Sequence, residues 1–298
     1  MNKLLKFPPV RVIIAVLFVG VGIAIGQAVL NLLRSAFSIT NIGLANLLAF
    51  VLVTPTTYFA YWIYVRIIEK RELTELGRTN AAREFGLGSL TGFGLFSLAI
   101  AILWLLGFYR VTGFDFGWLL VIGALVGAFV SAFAQELIFR GVIYRISEEW
   151  LGTWWAVLIS ALLFGLIHLT SSNATIFSTV AVTLQAGVLL AAVYALTHRL
   201  WMAIGLHMAW DFANDGVYGV GIAGQSGHSI QGLLRANLNG PELLTGGAFG
   251  VEASVITVVA VLIAGILILW LAYRKGQFIS RQNKSLRIDM QLADSKSK

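Results

Sequence analysis

Eight stretches of this chain are apolar enough to sit in a lipid bilayer, and that constrains the fold more than any other feature. In hydrocarbon every backbone N–H and C=O must be satisfied inside the protein, which a helix does within a single segment. About 20 apolar residues carry a helix across the hydrocarbon core. The expected spans are 12–33, 42–65, 86–108, 118–139, 153–169, 176–196, 201–212 and 253–273. The seventh is short, and the fourth runs on past Arg145. Of 298 residues, 58% are hydrophobic and 12% charged, against about a quarter charged in a soluble domain. The expected fold is all-α: a polytopic transmembrane bundle of about eight spans around a buried polar cavity. The first apolar run, from Val10, has no small-residue cleavage site before further spans follow, and reads as a retained helix.

Lys and Arg concentrate in the loops that stay cytoplasmic. With eight spans and both termini cytoplasmic, all but Arg34, Arg110, Arg235 and Arg140 of the 21 Lys and Arg residues fall on one side. The net charge of +7 is therefore topological, and nucleic acid is not an expected partner. Membrane lipid is. Segment 66–85 has the pattern of an amphipathic helix lying at the interface. Segment 215–250 is glycine-rich and reads as an irregular loop, and 277–298 is polar and reads as a disordered tail.

Against this apolar background a few ionisable residues stand out. They are Glu136 and Arg140 in AQELIFRG, His168 in FGLIH, and His207 and Asp211 in HMAWD. Ionisable groups inside a bilayer cost several kcal/mol on insertion scales and mark functional sites. Each motif repeats a four-residue spacing, which places its two ends on one helix face. Glu136 and Arg140 can then pair, lowering the cost of burying both. With a hairpin turn at Gly152, Glu136 and His168 lie equally far from that turn, about 24 Å along a helix. His207, at about 12 Å, and Asp211, at about 18 Å, reach that level only through a bend, for which Gly205 is the expected place. Cysteine is absent, so thiolate nucleophiles and cysteine metal sites are excluded. His198 and His228 fall in loops and are assigned no chemistry. A proton relay is a further use of such groups, but no inverted repeat of the transporter kind is visible.

The three elements resemble the type II CAAX prenyl protease and bacteriocin-processing family (CPBP, also called Abi), with motifs EExxxR, FxxxH and HxxxN or HxxxD. Here they read Gln135-Glu136-Leu137-Ile138-Phe139-Arg140, Phe164-Gly165-Leu166-Ile167-His168 and His207-Met208-Ala209-Trp210-Asp211. RELTELG and LTGGAFG also look like family flanking patterns. The resemblance divides the chain into two spans with an interfacial helix (1–85), an intramembrane protease core (86–275) and a polar tail (276–298). It implies peptide-bond hydrolysis within the bilayer, with a peptide or protein as substrate. In the family, the first motif glutamate and the FxxxH histidine activate water, and the last motif's pair stabilises the oxyanion. The second glutamate pairs with the arginine. Carried over, His168 activates water, His207 and Asp211 hold the oxyanion, and Glu136 pairs with Arg140. A divalent metal such as zinc is the cofactor the resemblance raises. Glu136, His168 and His207 are its candidate ligands, since two imidazoles and carboxylates suit zinc.

One departure is decisive. Gln135 stands where the family has its catalytic glutamate, and an amide cannot take a proton as a general base. Either Glu136 or Asp211 substitutes, with Gln135 orienting water or substrate, or the chain is an inactive member that binds peptides as a membrane immunity protein.

Overall fold

The computed structural model describes residues 7–220 and 232–280. It is a helical bundle. The helices run in order α1 (Pro8–Ala36), α2 (Ile42–Ile63), α3 (Ala81–Leu105), α4 (Trp118–Glu136), α5 (Arg145–Leu151) and α6 (Thr153–Ile167). Then follow α7 (Ile176–Val182), α8 (Val188–Thr197), α9 (Leu200–Asp211), the single turn α10 (Glu242–Thr245) and α11 (Val255–Arg274). Four π-helical segments, Tyr64–Glu69, Leu137–Tyr144, Thr183–Gly187 and Phe212–Val217, continue α2, join α4 to α5, join α7 to α8 and continue α9.

Seven helices among the described residues are long and apolar enough to cross a membrane: Pro8–Ala36, Ile42–Glu69, Ala81–Leu105, Trp118–Leu151, Thr153–Thr170, Ile176–Thr197 and Val255–Arg274. The chain is a polytopic membrane protein. The count is one lower than expected because α9 with its π-helical extension, though 18 residues long, carries His207, Asp211, Asn214 and Asp215 and is not apolar enough. The hairpin turn falls at Gly152, whose φ of 89° between α5 and α6 suits a residue without a Cβ. The expectation of helix alone misses a two-stranded antiparallel sheet, β1 (Tyr109–Phe114) with β2 (Leu234–Leu238). It closes the end of the bundle beyond α3 and takes its second strand from the glycine-rich loop. The tail begins in an ordered way: Thr153 and Ile279 exchange hydrogen bonds, N–H to carbonyl at 3.1 Å and N–H to Oγ1 at 2.9 Å. From 281 onward it lies outside the described residues, as does His228.

Segment 66–85 is not an amphipathic helix. Lys70 takes a left-handed conformation (φ 55°), the chain runs irregularly to Asn80, and α3 starts at Ala81. Three of the segment's charged side chains, Glu69, Arg71 and Glu75, turn inward, while Arg66, Lys70, Glu72, Arg78 and Arg83 stay exposed. Glu69 accepts from Arg11 at 2.5 Å and from Arg71 and Arg145 at 2.7 Å. Glu75 receives a two-pronged bond from Arg71, at 2.6 and 2.8 Å, and the Tyr61 hydroxyl donates to it. A carboxylate held by a guanidinium fork is among the stronger polar contacts available to a protein. This buried cluster ties the loop to α1, α2 and α5.

The loop also fixes where α9 begins. The Leu200 N–H donates to the Glu75 carbonyl at 2.9 Å, and Leu200 is fully buried. The helix therefore starts inside the bundle, which brings His207 to the depth of Glu136 without a bend. Gly205 serves close packing instead. A Cβ there would stand 2.3 Å from the Phe85 carbonyl oxygen. Cβ atoms at Gly88 and Gly92 of α3 would stand 2.1 Å from the carbonyl oxygens of Met202 and Leu206. Where lipid supplies no hydrophobic drive between helices, such small-residue contact supplies the packing.

Two outcomes follow. Gly92→Leu lowers the stability of the detergent-solubilised protein by about 1–3 kcal/mol through overpacking. Gly94→Leu, on the same helix but with nothing within 4 Å of its Cβ position, leaves the thermal midpoint unchanged. The second outcome concerns pH. Burial pushes the Glu75 carboxyl up, but the Arg71 fork outweighs it and holds the group below its ordinary value. A carboxyl depressed on folding stabilises above its unfolded pKa and loses that contribution as pH falls through the folded value. The stability gap between the native chain and Glu75→Gln is therefore full at neutral pH and narrows in acid. A gap that widens in acid reverses the sign assigned to Glu75.

Candidate active site

Glu136, the last residue of α4, and Arg140, in the π-helical segment after it, are both fully buried. Arg140 Nη1 donates to Glu136 Oε1 at 2.9 Å. Its Nη2 donates at 3.2 Å to the carbonyl of Gly187, which closes the π-turn before α8. The guanidinium also lies over the Phe164 ring, 4.6 Å from its centre. Phe164, the first residue of FGLIH, is thus the floor on which the cation rests, a contact that strengthens when desolvated. Four elements converge on one ion pair.

His207 on α9 joins it. Its Nδ1 lies 2.9 Å from Glu136 Oε1, and its Nε2 lies 3.6 Å from Asp211 Oδ2, one turn along the same helix. A carboxylate only accepts, so Nδ1 carries a proton and donates to Glu136. His207 is thereby set between two carboxylates, with Arg140 balancing the first.

His168 stands at the end of α6, half-buried. Its Nδ1 lies 2.8 Å from the Phe164 carbonyl. A carbonyl also only accepts, so this bond assigns the proton to Nδ1 and leaves the Nε2 lone pair available when the ring is neutral. His168 bonds this carbonyl rather than Glu136, and its ring lies 5.0 Å from that of Phe164, which also neighbours His207 at 5.8 Å. His168 and His207 share a cavity, but Glu136, expected at the level of His168, does not line it.

That cavity has a volume of about 160 Å³ and is lined by Gln135, His168, His207, Asp211, Trp210 and Glu252 among its polar and aromatic groups. It is large enough to hold several waters among polar partners. Gln135 faces it, with Nε2 donating to Ser131 Oγ at 2.9 Å. Its Oε1 is buried with no hydrogen-bond partner among the described residues. Glu136 and Arg140 stay behind the wall.

Glu252 was not singled out in the sequence. It sits in a 3₁₀ turn (Val251–Ala253) between the loop read as irregular, 215–250, and the last span, just after LTGGAFG. Trp210 Nε1 donates to its Oε1 at 2.8 Å, and Gln185 donates to its backbone carbonyl. The only signal was an acidic residue immediately before the last apolar run. Thr183, another polar residue of the spans, bonds back to its own helix at Thr179.

The expected metal ligands are not gathered into one site. Glu136 Oε1 accepts from Arg140 and from His207 Nδ1, its Oε2 is buried with no hydrogen-bond partner among the described residues, and His168 Nδ1 bonds the Phe164 carbonyl instead. Among the described residues no group of three or more His, Asp or Glu side chains is placed to hold a metal ion. No step is derived through one.

Fold and site together define a helical membrane protein with a buried acid–imidazole cavity. Residues 116–213 match the family model described as Type II CAAX prenyl endopeptidase Rce1-like, a stretch of about a third of the chain that holds all three motifs. The match agrees with the family that the motifs resemble. No curated protein and no solved structure matches the chain.

Breaking a buried pair strands the surviving charge at a cost of about 3–5 kcal/mol. Arg140→Met is therefore expected to destabilise by about that amount, and adding Glu136→Leu to recover part of it, read as thermal midpoints in detergent. A double variant no better than the single one removes the pairing account.

Proposed function

We propose that this chain is an integral-membrane endopeptidase of the CAAX-processing-like kind, with its charged loops cytoplasmic. The observation that carries the reading is the single cavity that His168 enters from the end of α6 and His207 and Asp211 enter from α9. A water accepted into it donates a hydrogen bond to His168 Nε2 and lies beside carboxylates able to take its proton. Arg140 acts through Glu136, which keeps the His207 Nδ1 proton in place. His207 supplies the donor for the charge that develops on the carbonyl oxygen of a peptide: as an imidazolium it keeps Nδ1–H on Glu136 and offers Nε2–H, with the Asp211 carboxylate beside it balancing the charge. Amide hydrolysis by a positioned base and preorganised donors needs no covalent intermediate. The substrate class is a peptide or protein segment reaching the membrane.

A second reading rests on Gln135. Its amide occupies the family's catalytic position, faces the cavity and accepts no proton, which favours an inactive member that binds peptides in the same place.

The test is a cleavage screen with the purified protein in liposomes against membrane-associated peptides. His168→Ala and His207→Ala are each expected to lower cleavage at least about 100-fold while the chain still inserts. Either variant retaining native rates removes the mechanism. No cleavage by the native chain, with peptide binding kept, establishes the second reading.

A further inference from the structure

We propose that Glu252 supplies the carboxylate that takes the proton of the attacking water, in the part that Gln135 cannot play. The inference rests on the peptidase reading above and names the missing group of that same site.

Two carboxylates line the cavity, Asp211 and Glu252. Asp211 faces the His207 ring at 3.6 Å, and a proton acceptor set against an imidazole that is itself held by Glu136 is already engaged in the wall. Glu136 lies behind that wall, in the grip of Arg140. Glu252 lines the cavity from a different element, the 3₁₀ turn before α11. Its Oε1 accepts from the indole N–H of Trp210, which orients the side chain. Its backbone is pinned by Gln185 from the π-helical turn before α8, and its neighbours Val251 and Ala253 are buried on either side. The side chain is therefore set in place from two elements, and it lines the same cavity as His168 and Asp211. The cavity thus combines an imidazole with an available lone pair at Nε2 and a carboxylate from outside the three motifs.

The step balances as an ordinary hydrolysis. Water donates one hydrogen bond to His168 Nε2, and its other O–H bond breaks as its oxygen bonds to the peptide carbonyl carbon. That proton passes to the Glu252 carboxylate while the carbonyl π pair moves onto oxygen. When the C–N bond breaks, Glu252 returns the proton to the departing nitrogen. The products are a carboxylic acid and an amine, and the carboxylate is regenerated.

Glu252→Gln keeps the size of the side chain and its ability to accept from Trp210, and removes only the base. It is expected to lower cleavage at least about 100-fold. Trp210→Phe, which deletes the N–H but leaves the charge, is expected to stay within about tenfold of the native rate. Adding Gln135→Glu to Glu252→Gln is expected to restore at least about tenfold, because a carboxylate returns to the same cavity. Native cleavage with Glu252→Gln unaffected overturns the assignment and leaves the peptidase reading standing. So does equal loss in Trp210→Phe and Glu252→Gln with no rescue, which marks Glu252 as a support for Trp210. A silent native chain that Gln135→Glu switches on overturns it as well, since the site then lacks a working base. Silence in every variant overturns the peptidase reading and this inference together.

Discussion

A guanidinium with no exposed surface sets the terms for the rest of this molecule. Arg140 is the largest fully buried side chain described, in a bundle whose outer faces are Leu, Ile, Val and Phe. Several kcal/mol of desolvation must be offset inside the protein, and four separate contacts do so: the Glu136 carboxylate, the Gly187 carbonyl, and the faces of Phe164 and Phe139. Those partners come from α4, from the turn before α8 and from α6. The cation therefore dictates which helices must meet, and His207 is recruited through the oxygen already bound to it. A buried pair of this kind is weak evidence for net stability. Its value here lies in position, because the imidazole and carboxylate groups of the cavity are hung from it.

Much of this was legible in the residues. Apolar runs near 20 residues located the long helices to within a few positions, because crossing length and helical rise leave little freedom. The i, i+4 spacing placed Glu136 with Arg140 and His207 with Asp211 on common faces, and Gly152 marked the hairpin. What was not legible came from interactions that spacing does not encode. RIIEKRELTELGR has the pattern of an interfacial helix, yet its Glu69 finds partners on Arg11 and Arg145, far away in sequence, and the loop folds inward. That inward loop lowers the start of α9, so the depth expected for His207 from helical rise alone was wrong by the missing turns. Gly205 looked like a hinge because local sequence does not show that Phe85 backbone lies against it. Glu252 escaped notice for a similar reason: only the folded loop brings it to Trp210.

The cluster at Glu69 and Glu75 and the pair at Glu136 use the same chemistry for different ends. In the first, three arginines and two glutamates share bonds near the end of the bundle, where water is close, and hold a loop. In the second, a single pair sits among aromatic rings and supports groups that face a cavity. Tyr61 links the two regions, donating to Glu75 and lying against the carbonyl of Gly141, one residue beyond Arg140. The loop anchor and the site are thus parts of one continuous polar column through the bundle.

The π-helical segments carry a consequence of their own. An i→i+5 bond encloses one more residue than the α-helical i→i+4 bond, so each such segment is a helix with slack wound into it. Three of them adjoin the polar column: Leu137–Tyr144 holds Arg140, Thr183–Gly187 holds Gln185 and the carbonyl that receives Arg140, and Phe212–Val217 begins directly after Asp211. Tightening any of them into α-helix with that residue retained would turn everything downstream by roughly a quarter of a revolution. The apolar lining would tolerate that rotation, since leucine and valine face every direction in these spans. The polar groups would not, and so the slack acts as a phase adjuster that keeps their bearings aligned.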